Sequence, residues 1–403
     1  MMDIDRVLAR CDELAALSAM EGGILRAYLT PEHQQANTLV ATWIEQAGMA
    51  SYVDAAGNLW GRYEGDSDNA PAVILGSHLD TVPNAGRFDG ILGVVLAIEA
   101  IASFHSRQKR FPFALEVVGF ADEEGTRFGS TLLGSRAVAG TWQQDWFAIK
   151  DADGVSMQDA FKRFGLKPEN IGDAARSPAS VKAYLEVHIE QGIVLEHEGL
   201  ALGTVTAIAG ARRKRVTISG QAGHAGTTPM HLRKDALVIA AHIIAMIEKK
   251  ARTWNLVATV GHLECKPNAV NVIPGEVLFS VDIRSPIDTS RDRAWAEIEA
   301  GIITTVGSRS GEVRIKETHA APAAPCAESL QQLLDDALVA NGHPAYRLMS
   351  GAGHDAMAMA AITDIGMLFI RSPKGISHHP AEAVIKEDVA AALEVLISAI
   401  ERI

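Results

Sequence analysis

An α/β fold is predicted for this chain: a mostly parallel sheet with helices on both faces, interrupted by an inserted domain of ferredoxin-like order βαββαβ. Three observations predict it. Short apolar runs suited to buried strands alternate with helical periodicity through the first half and again near the C-terminal end. Between about residues 209 and 319 that pattern gives way to half-exposed, alternating strands around two long helices. The length, 403 residues, also exceeds what one core usually reaches.

Ile4, Val7, Leu8, Cys11 and Leu14 recur at helical spacing. Thr30 as N-cap, Pro31 at the first helical position and Glu32 in the first turn open a second helix, which Gly48 ends. Ala72–Gly76 and Leu115–Phe120 are apolar runs of strand length, and Ile91–Phe104 between them is long enough for a core helix. Tyr184–Val187 is a further buried strand. After Ile208, Lys214–Ser219 alternates as a half-exposed strand should. A helix over about Leu232–Ala251, strands near Val257–Glu264 and Val277–Arg284, a helix over about Ser290–Val306 and a strand Val313–Lys316 complete the insert. Ala320–Cys326, rich in Ala and Pro, leads out of it as a hinge, with another near Ile208. Leu330–Asn341 is helical, Met367–Arg371 a strand and Val389–Ile400 the terminal helix. Residues 1–208 and 320–403 thus form one domain around an insert of 209–319.

Composition narrows the function. Lys and Arg number 37 against 49 Asp and Glu, a formal charge of −12, which argues against a nucleic-acid or anionic-membrane binder. A hydrophobic fraction of 48% with 21% charged residues builds a large core rather than a disordered chain. No apolar run nears the roughly 18 residues of a membrane span. The N-terminal MMDIDRVLARCDEL is charged and amphipathic, unlike a signal peptide. Cys11, Cys265 and Cys326 are far apart and form no CxxC, so neither a disulfide framework nor a cysteine zinc site is expected. A cytoplasmic location follows as the expectation, with 14 histidines as the one compositional pointer to metal chemistry.

Ligands in such sheets collect beyond the carboxyl ends of the strands. Four expected strands are followed there by His or carboxylate: Ser77-His78-Leu79-Asp80, Asp122-Glu123-Glu124-Gly125, His188-Ile189-Glu190-Gln191 and Ser377-His378-His379-Pro380. Gly86-Arg87-Phe88-Asp89-Gly90 adds a carboxylate before the core helix. Imidazole plus carboxylate without thiol suits zinc, manganese or cobalt. One bridging carboxylate with two ligands on each side would hold two ions about 3.5–4 Å apart, the spacing of two-metal hydrolases. His78 can ligate through one nitrogen while Asp80 accepts from the other. Asp89 can bridge, and of Glu123 and Glu124 one can bind metal while the other stays free as general base. Spacing alone does not say which.

GSHLDTV, GRFDG, DEEG, HIEQG and GISHHP, with GQAGHAGTTPM, PNAVNVIPG and SGAGHDAM, resemble the motifs of the M20-type amidohydrolases. The resemblance is closest to the hydantoinase/carbamoylase branch, which contains allantoate amidohydrolase, N-carbamoyl-L-amino-acid hydrolase, β-ureidopropionase and ureidoglycolate amidohydrolase. It implies a catalytic domain with a binuclear site, a smaller lid domain through which the chain forms a homodimer, and two divalent ions (Zn2+ or Mn2+) per subunit. Carried over by position, Glu123 matches the general base, His78 and His188 the ligands of one ion, Glu124 and His378 those of the other, and Asp89 the bridge. The branch has a single histidine where this chain has His378-His379, and alignment on Gly375-Ile376-Ser377 favours His378.

The resemblance also gives the insert a role. His224 matches a residue that reaches across the dimer to stabilise an oxyanion, and Asn271 with Arg284 a pair that binds the substrate carboxylate. Gln191 is a further candidate contact to that group, the backbone of Ser350–Asp355 could face an anion, and Arg127 is a candidate for approaching substrate. Arg212-Arg213-Lys214-Arg215 reads as a solvated strand start. The implied activity is hydrolysis of a ureido C–N bond in a small carboxylate, with allantoate first, N-carbamoyl-L-amino acids second and ureidoglycolate third. A non-catalytic ureido-acid binding protein is the rival from another class, and it has no use for a free Glu123.

Overall fold

The computed structural model describes residues 3–403. The chain divides into two compact units, one running to Thr206 and resuming at Pro325, the other comprising Ala207–Ala324. In the first unit, α1 (Ile4–Ala15) and α2 (Pro31–Gln46) precede an edge hairpin, β1 (Ala50–Val53) and β2 (Leu59–Tyr63). β3 (Ala72–His78), α3 (Ile91–Ser106) and β4 (Ala114–Phe120) follow, then α4 (Leu133–Val138), α5 (Met157–Phe164), β5 (Val181–Ile189), α6 (Val194–Glu198) and β6 (Leu202–Ile208). The Thr30 side chain accepts from the His33 amide, as an N-cap should, and Gly48 takes φ +82° beyond the helix end.

The second unit holds β7 (Gly210–Ser219), β8 (Gly223–His224), α7 (Ala236–Trp254), β9 (Val257–Thr259), β10 (Leu263–Lys266), β11 (Val272–Ile273), β12 (Glu276–Ser285), α8 (Asp288–Gly307) and β13 (Glu312–Ala321). The chain then returns through β14 (Ala324–Pro325), α9 (Glu328–Ala340), β15 (Arg347–Ser350), α10 (Ala356–Met359), β16 (Ile365–Ile370) and α11 (Lys386–Ile400).

The large sheet has nine strands in the order β1-β2-β4-β3-β5-β16-β6-β14, with β15 also on β6. It is mixed, where a mostly parallel sheet was expected. β4, β3, β5 and β16 run parallel, while β2 joins β4, β1 joins β2, and β6 joins β16, all antiparallel. The parallel four are the runs that read as buried strands. Every residue of β3, β4 and β16 is buried, so both faces of the sheet are covered. The flanking strands were missed for a physical reason: β1 exposes Tyr52 and Val53 at the sheet edge, and β2 carries Gly61 and Arg62.

Helix α3 packs so closely on the sheet that a Cβ at Gly93 would stand 2.2 Å from the Val187 carbonyl oxygen. On the other side of α3, its buried Glu99 accepts from Arg6 and pairs with Arg10, which ties α1 down. The segment between β4 and β5, unassigned by periodicity, folds around Tyr28, Phe128, Trp146, Met157 and Phe161.

In the insert, β10-β12-β7-β13 form the sheet and β9 also pairs with β12. Val277, Phe279, Val281 and Ile283 alternate inward from β12 and meet Ile239, Ile243 and Ile247 of α7 and Trp295, Ile298 and Ile302 of α8. Three expectations shift. α7 begins at Ala236, because Asp235 caps the Leu237 and Val238 amides and Met230–Leu232 makes a separate turn. The run 257–264 is two strands, not one. Lys214 is buried rather than solvated, with its ammonium on Glu317 and 5.1 Å from the Trp295 ring. Among the described residues, no helix is long and apolar enough to cross a membrane.

Candidate active site

Parallel register brings the carboxyl ends of the central strands to one edge. His78 closes β3 opposite Phe120 of β4, and His188 of β5 lies opposite Phe369 of β16. Glu123 and Glu124 follow β4, His378 follows β16, and Asp89 lies just before Gly90, the N-cap of α3. Residues separated by 300 positions, His78 and His378, therefore meet where open α/β sheets bind ligands.

Asp89 is the centre of the cluster. Its Oδ1 faces Nε2 of His188 at 3.2 Å and of His78 at 3.9 Å. Its Oδ2 lies 3.0 Å from Nε2 of His378, which is also 3.3 Å from Glu124 Oε1. The two oxygens of one carboxylate thus address two different sets of partners. His78/Asp89/His188 and Asp89/Glu124/His378 each keep their ligand atoms within 4.8 Å of one another.

The histidines are oriented from behind. His188 Nδ1 donates to the Ile189 carbonyl at 2.8 Å, and His78 Nδ1 to the Asp80 carbonyl at 3.1 Å. A nitrogen against a carbonyl oxygen carries the proton, which leaves each Nε2 lone pair turned toward Asp89. A lone pair facing a carboxylate is repulsive unless a proton or cation lies between. Asp89 Oδ1 and His188 Nε2 are both buried and neither makes a hydrogen bond. A divalent cation satisfies both atoms at once, and the nitrogen and oxygen donor set fits zinc or manganese.

Electrostatics agree with this fit. Burial opposes charge on His78, yet the Asp80 contact and the charges of Glu123 and Asp89 hold its ring well above the ordinary value. His188 is likewise raised, burial being outweighed by Asp89. Hydrogen bonds to Asp89 and Glu124 push His378 up to about 10. Burial would raise Asp89, but His188, His378 and His78 hold it well below the carboxylate range. This edge therefore attracts positive charge, and a cation bound there displaces protons from the rings.

Asp80 does more than orient His78. Its Oδ1 and Oδ2 accept from the Glu123 and Glu124 amides at 2.9 and 3.1 Å, and Oδ1 stands 3.4 Å from His78 Nδ1. One carboxylate fixes the glutamate pair and the histidine together. Burial pushes the Glu123 carboxyl well above its usual range, with His78 opposing and Glu124, Asp355 and Asp80 adding to the rise. A carboxyl so poised suits proton transfer.

The remaining candidates divide. Gln191, at φ +57°, donates from Nε2 to Asp89 Oδ2 at 3.0 Å and to Ser377 Oγ at 3.1 Å. His379 is exposed, and its Nδ1 accepts from the Ala381 amide at 3.1 Å, so His378 and not His379 lies on Asp89. In the second unit, β8 pairs with β11 so that Val272 lies opposite His224, and the Ala225 amide donates to the Asn271 carbonyl at 2.9 Å. His224 and Asn271 are thereby neighbours, both exposed. Arg284, half-buried on β12, donates to both Asp282 oxygens at 3.0 and 2.8 Å. Arg127 is a correction: its guanidinium pairs with Asp151 at 3.0 Å and donates to the Tyr28 and Leu29 carbonyls, a structural tie.

Sequence reasoning missed the residues behind the ligands. Glu186 accepts from Ser77 Oγ, Tyr184 Oη and the Ala356 amide at 2.8, 3.1 and 3.2 Å. A carboxylate inside an apolar strand was the available signal. The His354 ring packs 4.4 Å from that of His188, and Ser350 Oγ is 2.8 Å from His354 Nε2. Arg26, fully buried, donates to the Leu79, Leu14 and Leu17 carbonyls at 2.7, 2.7 and 3.1 Å, and nothing in its sequence context announces this.

Residues 74–402 match the family described as peptidase family M20/M25/M40. The chain is 44% identical to the N-carbamoyl-L-amino acid amidohydrolase of Geobacillus stearothermophilus, over 98% of this chain and 97% of that one. It is 38% identical to a probable allantoate deiminase of Oryza sativa subsp. japonica, over 99% of this chain and 88% of that one. Among solved structures, an amidase of the hydantoinase/carbamoylase family from Burkholderia multivorans superposes with a TM-score of 0.93 at 32% identity, covering 99% of this chain and 97% of that one.

Proposed function

From the premise that this chain belongs to peptidase family M20/M25/M40, we propose that it is a metal-dependent amidohydrolase that cleaves a ureido C–N bond in a small carboxylate substrate. The observation that carries this reading is Asp89, whose two oxygens face His78 with His188 on one side and His378 on the other, with Glu124 beside His378 and Glu123 next to it in the chain. His78, His188 and Asp89 would hold one divalent ion, and Asp89, Glu124 and His378 a second. Such ions supply Lewis-acid polarisation of the ureido carbonyl and acidify water. Glu123 takes the proton of the attacking water and returns it to the departing nitrogen. Asp80 keeps Glu123 in place through its amide and His78 in the tautomer that leaves Nε2 unprotonated.

Allantoate is the proposed substrate, giving ureidoglycine, ammonia and carbon dioxide. Relatives named allantoate deiminase align with 96–99% of the chain and support the choice. N-carbamoyl-L-amino acids are the second reading, favoured by the 44% identity to the Geobacillus stearothermophilus relative. His224, Asn271 and Arg284 are proposed to act on the substrate oxyanion and carboxylate, in a homodimer formed through the insert, in the cytoplasm. Incubating zinc- or manganese-loaded protein with allantoate, ureidoglycolate and a panel of carbamoyl amino acids tests the proposal. Ammonia release from allantoate is the expected result; turnover confined to the carbamoyl amino acids overturns the substrate, and no turnover of any overturns the activity. Chelation is expected to abolish turnover, and added zinc or manganese to restore it.

A further inference from the structure

Three ligands of the cluster, Asp89, Glu124 and His378, sit on loops rather than on strands, and a single buried side chain joins the loops of Asp89 and His378. Glu382 is 4% exposed. Its Oε1 accepts from the Phe88 amide at 2.8 Å and the Asp89 amide at 3.1 Å, and its Oε2 accepts from Ser377 Oγ at 2.9 Å. Ser377 Oγ is in turn 3.3 Å from Asp89 Oδ2 and precedes His378 directly. The Glu382 amide donates to the His379 carbonyl at 2.9 Å, which closes the turn that directly follows His378. Room for this carboxyl is made by Gly86, where a Cβ would stand 2.2 Å from Glu382 Cδ and Oε1 and 2.4 Å from its Cβ.

The other ligands have separate backing. His78 and His188 end or lie within strands and rest on the Asp80 and Ile189 carbonyls, and the Glu124 amide rests on Asp80 Oδ2. His378, by contrast, is half-exposed and held at φ +54°. A carboxylate placed there accepts from three donors on the two loops and so spans them.

We propose that Glu382 is the positioning residue that locks the Asp89 loop to the His378 loop and so maintains the ion site made by Asp89, Glu124 and His378. The inference rests on the metal centre proposed above. Glutamine at this position keeps an oxygen for the two backbone amides, and the Ser377 hydroxyl can turn to Asp89 instead. Alanine loses all three bonds. Supporting partners of this kind typically change metal affinity by roughly 10–100-fold.

The test is zinc retention by the full chain during dialysis against graded chelator, read as zinc per chain by elemental analysis, with circular dichroism as the folding control. Wild type is expected to lose zinc in two steps. Glu382→Ala should lose the weaker ion at roughly 10–100-fold lower chelator, matching the profile of His378→Ala and not that of His188→Ala. Glu382→Gln should stay near wild type. Gly86→Ala, which displaces Glu382 without removing a donor or a ligand, should reproduce the alanine profile, and it decides the matter if Glu382→Ala does not fold. A folded Glu382→Ala or Gly86→Ala that keeps the wild-type profile, or that loses both ions by the same factor, overturns the proposal. Two-step zinc loss in wild type with no ureido hydrolysis would instead sink the proposed activity and leave this inference standing.

Discussion

Glu123 is held at the ligand edge through its main chain, by the same Asp80 carboxylate that holds the Glu124 amide. Its side chain is thereby available for the proton transfer proposed for it. Glu123→Ala is expected to lower turnover by roughly 10²–10⁴-fold, the usual worth of a general base, with zinc content unchanged. Asp80→Ala removes the shared anchor of His78, Glu123 and Glu124, so it should reduce both turnover and zinc affinity, which separates positioning from proton transfer when kinetics and metal titration are compared. The candidate ligands were legible one by one because His78 and His188 lie at the ends of apolar strands and Glu124 follows one closely. Glu382 was not, because a glutamate in a loop looks the same whether it is solvated or buried against two backbone amides.

At the scale of elements, His33 ties the start of α2 to the chain before it. The Leu29 amide donates to its Nδ1 at 3.1 Å, and burial lowers its pKa to about 4. The folded ring stays neutral while the unfolded ring takes up a proton below its ordinary value of 6.5. Stability should therefore fall as pH drops from 6.5 toward 4, by roughly 3 kcal/mol from this group. Urea denaturation across that range, compared with His33→Gln, should show the wild-type slope reduced in the variant. Gly93→Ala should cost roughly 1–3 kcal/mol or more, since its methyl group would meet the Val187 carbonyl across the α3–β5 contact; thermal melts of the pair measure it. The four parallel strands were readable because burial on both faces demands continuous apolar runs. β1 and β15 were not, since short edge strands pair on one side only and need no such run, and in β2 Gly61 and Arg62 interrupt the apolar run.

The whole molecule consists of two units, each with a core cluster of its own, one around α3 and the large sheet, the other around β12, α7 and α8. The proposed ligands belong to the first unit; His224, Asn271 and Arg284 belong to the second. If the proposed homodimer supplies His224 to a partner's centre, mixed dimers of Glu123→Ala and His224→Ala should recover up to about a quarter of wild-type turnover, because half the dimers are mixed and each has one intact site. Denaturing and refolding the two inactive variants together, then assaying ammonia release, measures this; activity that never rises above that of either variant alone would show that each chain uses its own insert.

Local pattern by itself determined the α/β class, the position of the insert, the four central strands and the histidines and carboxylates that gather beyond them, because periodicity and strand-end chemistry are written in contiguous residues. Only the tertiary structure decided that Asp89 divides its oxygens between two sets of partners, that Asp80 grips both glutamate amides, and that Arg127 serves the scaffold. Those outcomes depend on distances between residues far apart in the chain, and such distances exist only once the sheet has set its strand order and register.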